Sequence, residues 1–91
     1  MVFHWPEPER RDELVGSMGE MRAALERMPG CLGVDPPYVS DDGECLVGIS
    51  RWESRDAFFA TGITLGPAGQ IAEGELRPRQ RFLLDEATPG R

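Results

Sequence analysis

The chain has 91 residues, sixteen acidic and ten basic, for a net charge of −6. That length makes one domain, 1–91, expected to fold over 1–86 and to fray over 87–91; a domain this small hides only ~60–65 % of its unfolded surface. The acidic balance argues against nucleic acid, which recruits a basic stripe, and no run of eighteen apolar residues offers a membrane span.

Val2 to Trp5 reads as a short strand, with Val2 and His4 on one face and Phe3 and Trp5 on the other. Pro6 and Pro8 end it, because proline stops a strand and suits the first turn of a helix. A helix is predicted from Glu9 to Met28. Its stripe is Leu14, Met18, Met21, Leu25 and Met28, in steps of four and three. Arg22 and Glu26 are spaced to pair on its wet side. Pro29 and Gly30 end it. Cys31 to Val39 is the second strand, and Pro36 and Pro37 confine it to an edge or a bulge. Ser40 to Gly43 has turn composition. A hairpin closed around Asp42 sets Leu32 opposite Trp52, Val34 opposite Ser50 and Tyr38 opposite Leu46.

Cys45 to Phe59, CLVGISRWESRDAFF, is the organising stretch. Its strand, Cys45 to Trp52, is apolar on both faces, whereas a half-buried strand alternates apolar with polar. A strand apolar on both sides expects cover on both sides. One layer of helices is all that so short a chain supplies, so a second subunit is expected to supply the other, making a homodimer. Ser54 is a good N-cap for a second helix, with Asp56 in its first turn. Thr61 to Pro78 is a long connection of the kind that serves as a lid or a slack linker. Gln80 to Asp85 is the last strand. Cys31 and Cys45 lack metal-type spacing, and no export signal is visible, so they are read as reduced thiols in a cytoplasmic protein.

The order strand, helix, strand, strand, helix, strand is the ferredoxin-like βαββαβ pattern of the α+β class, an antiparallel sheet with helices on one face. PGCLGV at Pro29 to Val34 and GECLVGISRWESRDAF at Gly43 to Phe58 resemble the antibiotic biosynthesis monooxygenase family of dimeric α/β barrels, over Val2 to about Leu84. The resemblance implies subunits packed sheet against sheet, with a pocket between sheet and helices in each. It implies two active classes. One oxygenates aromatic substrates with no cofactor, neither metal nor flavin; the other cleaves heme. Active members line the pocket with a Trp on the strand before the second helix, and Trp52 matches it. They also use an Asn on the first strand, and this chain has none. Heme-cleaving members carry a His shortly after the second helix begins, where this chain reads Ala60-Thr61-Gly62.

The candidate catalytic residues are Trp52, His4 and Tyr38; Trp52, Phe58, Met21 and Arg81 are the candidate substrate-binding ones. Trp52 would stack on a flat ring or simply fill core. His4 is the only imidazole, a base near neutral pH or a structural strand-end residue. Tyr38 would hold a substrate oxygen or sit on a rim. Met21 would line an adaptable pocket or belong to the helix core. Arg81 would bind an anionic group or pair with a carboxylate, and Arg51 would do the same, more naturally across a dimer. No phosphate loop, zinc spacing or hydrolase elbow is present. Oxygenation without a cofactor requires a substrate that supplies the electrons, such as a phenol or hydroquinone that loses a proton. The expected protein is therefore a small dimer that oxygenates such an aromatic molecule, or a non-catalytic binding or assembly dimer of the same fold.

Overall fold

The computed structural model describes residues 1–63, 69–87 and 89–90. β1 (Val2–His4) leads through Pro6 and a 3-10 turn, Pro8–Arg10, into α1 (Arg11–Glu26). The helix is shorter than its predicted span at both ends. Pro8 opens the tighter turn instead, and Pro29 disfavours helical backbone at Met28. Asp12 and Glu13 occupy the first turn, where the helix dipole favours negative charge.

Leu25 is buried, and Leu14, Met18 and Met28 are half-buried. Met21 departs from the predicted stripe and is 52 % exposed. The row of α1 that faces the sheet runs 14, 18, 22, and Arg22 takes the inner place. Its Nε donates to the Val34 carbonyl at 2.9 Å and lies 3.3 Å from Glu26.

Each arm of the hairpin is broken once. The second strand becomes β2 (Cys31–Val34) and β3 (Tyr38–Val39), the third β4 (Leu46–Gly48) and β5 (Ser50–Trp52). The Asp35 N–H donates to the Ile49 carbonyl at 2.9 Å and ties the two breaks together. After α2 (Arg55–Phe59), β6 (Gln80–Arg81) returns to pair with β1. The sheets are β3-β4-β1-β6 and β2-β5, antiparallel throughout. Taken in chain order this is βαββαβ with its second and third strands each split, an α+β fold of the ferredoxin-like class.

The register agrees with expectation at Val34 opposite Ser50 and departs on both sides of it. Trp52 faces Cys31 rather than Leu32, because the register shifts between Cys31 and Gly33 and leaves Leu32 65 % exposed. Tyr38 faces Val47 rather than Leu46, offset by one across Pro36 and Pro37. β6 is shorter than the predicted Gln80–Asp85. Phe82 still exchanges backbone bonds with Met1, and Arg55 then holds the Leu83 carbonyl and Asp85. Within the predicted connection Thr61–Pro78, residues 64–68 lie outside those described, as do 88 and 91 of the tail.

The two faces of the main sheet differ. A Cβ on Gly48 would lie 3.3 Å from the Met18 methyl, so Gly48 faces α1. Val2 pairs with Gly48 and His4 with Leu46. Alternation therefore puts Val2, His4, Leu46 and Gly48 on the helix side and Phe3 and Val47 on the other. Leu46, 2 % exposed, anchors a core in which Leu25 and Cys45 are the other buried hydrophobic residues among those described. On the far side Phe3 stacks on Trp5 at 6.4 Å and meets the edge of Phe82 at 5.8 Å.

Candidate functional site

Trp52 ends β5 and is held by the helix that follows. The Ser54 hydroxyl accepts the Ala57 N–H at 3.0 Å and starts α2 as predicted. The Gly30 carbonyl accepts the Glu53 N–H at 2.8 Å, docking the start of α2 against the end of α1. This seats Phe58 edge-on to Trp52 at 5.7 Å and Phe59 beside Phe58 at 5.5 Å. Trp52 donates its Nε1–H to Ser50 Oγ at 2.9 Å. The indole's one polar atom is thereby satisfied within the protein, and the half-buried ring is left to offer its faces. Beside this aromatic pair, an open groove of about 270 Å³ is lined by Met28, Pro29, Ala57, Ala60 and Thr61. Its walls are mostly apolar and do not include Trp52.

His4 belongs to the four-stranded sheet, not to the pair that carries Trp52. It pairs with Leu46, six residues before Trp52 and across the break at Ile49, which is roughly 20 Å at the rise of an extended strand. Its Nδ1 lies 3.2 Å from Glu75 Oε1, and both residues are buried. A carboxylate only accepts, so Nδ1 carries the proton and Nε2 is the imidazole's acceptor. Arg79 grips Glu75 Oε2 with Nε at 2.8 Å and Nη2 at 2.7 Å. Burial holds the His4 pKa below its ordinary value, Arg79 adds to that, and Glu75 opposes it. Arg81, paired across from Val2, belongs to this same sheet and pushes in the same direction as Arg79.

Tyr38 is on the other side of the sheet, opposite Val47 and in line with Phe3. Its hydroxyl donates to Asp35 Oδ2 at 3.1 Å. Arg51, expected to reach a carboxylate across a dimer, instead meets Asp35 Oδ1 of its own chain at 2.5 Å. That contact holds the Asp35 carboxyl below the usual carboxylate range, and the carboxylate in turn pushes the Tyr38 phenol up. A phenol raised in this way is a poor base. Both cysteines are free thiols, and burial pushes the Cys45 thiol up, away from nucleophilic use.

Of the residues singled out from the sequence, Trp52 and Phe58 come together, and His4 and Arg81 share the helix side of the four-stranded sheet. Tyr38 lies across the sheet, and Met21 is exposed on α1. Glu75 and Arg79 were missed, since neither stands in a motif. One signal did exist. A histidine placed between Phe3 and Trp5 in a strand needs a polar partner if it is buried.

The fold is similar to that in the structure of Rv0793 from Mycobacterium tuberculosis, with a TM-score of 0.60 over 96 % of this chain and 94 % of that one, at 23 % identity. Identity that low speaks for the fold alone. No curated protein matches the sequence. Residues 1–60, from β1 through α2, match the family model described as antibiotic biosynthesis monooxygenase. With most of its length matched, and with the split βαββαβ fold, the chain belongs to the antibiotic biosynthesis monooxygenase family.

Proposed function

We propose that the protein is a homodimeric, cofactor-independent monooxygenase acting on a small phenol or hydroquinone held against Trp52. The carrying observation is the seating of Trp52, whose indole N–H is spent on Ser50 and whose ring is braced by Phe58. Such a ring stacks a flat aromatic molecule and excludes water from it. The ionised phenol supplies the electrons to dioxygen. One oxygen atom enters the ring, the other leaves as water, and the phenol departs as a quinone, so that phenol plus dioxygen balances quinone plus water. His4 and Tyr38, the proton-transfer candidates, both sit away from Trp52. The reading therefore favours phenols acidic enough to ionise in neutral water.

One observation supports the dimer. The sheet side opposite the helices carries Phe3, Trp5, Val47 and Phe82, with Phe82 46 % exposed.

The test is oxygen uptake by the purified protein with a panel of naphthols and hydroquinones bearing electron-withdrawing substituents, chosen so that their hydroxyls ionise near neutral pH. The expected result is uptake matched by quinone formation, with kcat/KM falling roughly 10-fold in Trp52→Ala, since a stacked ring is worth about 1 kcal/mol beyond the area it covers. The distance from His4 to Trp52 favours a second reading, a non-catalytic dimer that binds the same class of molecule. Binding without oxygen uptake across the whole panel would select it.

A further inference from the structure

His4 and Glu75 are the buried polar residues among those described, and they touch each other. Glu75 belongs to the segment 72–79, which runs back along the exit of β1. The Gly74 carbonyl accepts the Glu7 N–H at 2.8 Å, and the Trp5 carbonyl accepts the Leu76 N–H at 2.7 Å. The Arg10 guanidinium lies against Gly74 and comes within 4.0 Å of Glu73. Apolar packing adds little to this attachment, since Ile71 and Leu76 are 54 % and 60 % exposed. The segment is fastened by two backbone bonds, by the Arg77 guanidinium over the Trp5 ring at 4.7 Å, and by one buried carboxylate, shared between His4 and Arg79.

We propose that residues 72–79 form a proton-sensitive strap, closed on β1 while His4 is neutral and released when His4 takes up a proton. The groups facing His4 make the case. Glu75 and Arg79 reach it from the strap and Arg81 from β6, and Cys45 accepts its backbone N–H. Neutral His4 gives Glu75 one N–H and adds no charge. Protonated His4 would be a third cation beside two guanidiniums and a single carboxylate, in a place with little water to screen them.

The sign follows from the closed state holding the His4 pKa below its ordinary value of 6.5, through burial first and Arg79 second. Opening restores the ordinary affinity, so opening takes up a proton. Closure is fully favoured above 6.5 and is lost as pH falls through that value toward the lower pKa of the closed state. Unlike the readings of Trp52, this inference does not depend on any catalytic activity.

Amide hydrogen exchange on the intact protein at about pH 7.5 and about pH 5.5, corrected for intrinsic rates, tests it. The reporters are the Glu7 and Leu76 amides, with the amides of α1 as the internal reference. Strap protection is expected to fall at least about fivefold at the lower pH while α1 holds, and His4→Gln is expected to abolish the response. Should His4→Gln fail to fold, Arg79→Met serves in its place, and the acid-dependent ratio is expected to shrink because one of the opposing cations is gone. Equal strap protection at both pH values would overturn the proposal. So would a parallel loss in strap and α1, or a variant that keeps the wild-type response.

Discussion

At Gly30 the backbone turns with φ of +82°, and a Cβ there would stand 2.6 Å from the Ala57 Cβ. Two costs therefore meet in one substitution, left-handed backbone for an L side chain and overlap with the helix behind it. Gly30→Ala is expected to lower stability by roughly 1–3 kcal/mol, read as a lower urea midpoint at unchanged slope. Pro29 and Gly30 were legible as a helix end, because proline and glycine punctuate helices locally. The approach of Ala57 was not legible, since it joins residues distant in the chain and leaves no trace in either neighbourhood. His4 behaves likewise. Its place in the strand was readable, but its partner Glu75 lies in a stretch with no periodicity to place it.

The short helix α2 spans Arg55–Phe59, too few residues to hold itself together without help. Its one side-chain cap is Ser54 Oγ on the Ala57 N–H. Ser54→Ala is expected to cost about 1 kcal/mol and Ser54→Asp to restore most of it, measured by chemical denaturation. Because α2 carries Phe58, loss of the cap also loosens the brace on Trp52, and the proposed aromatic binding would weaken more than stability alone requires. Element type and order were readable throughout, because caps, prolines and turn residues act over a few positions. Breaks within strands were not. Period-two alternation cannot reveal the interruption at Ile49 or the extra residue at Leu32, and either one moves the pairing by a residue. The offset across Pro36 and Pro37 is of the same kind, and it is why Tyr38, expected opposite Leu46, instead lies opposite Val47.

At the scale of the whole molecule, three buried hydrophobic residues among those described make a thin core. The two-faced apolar strand led to the expectation of a second subunit, and the aromatic side of the sheet, where Phe82 is 46 % exposed, is where it would sit. If a second copy covers it, Phe82→Glu places a charge in the contact while altering a side chain already 46 % exposed in the single chain. The expected outcome by light scattering is a fall from twice 10.1 kDa to 10.1 kDa with the fold retained by circular dichroism. A variant that keeps the wild-type mass would rule out this side as the interface. The chain's two indoles have different surroundings. Trp5, just after β1, lies beneath the Arg77 guanidinium at 4.7 Å, while Trp52, on β5 of the two-stranded sheet, donates to the Ser50 hydroxyl. Two intrinsic fluorophores are thus in place. Replacing either with phenylalanine leaves a single emitter, so the emission of one variant would report the proposed self-association and that of the other the proposed ligand uptake, with no extrinsic dye.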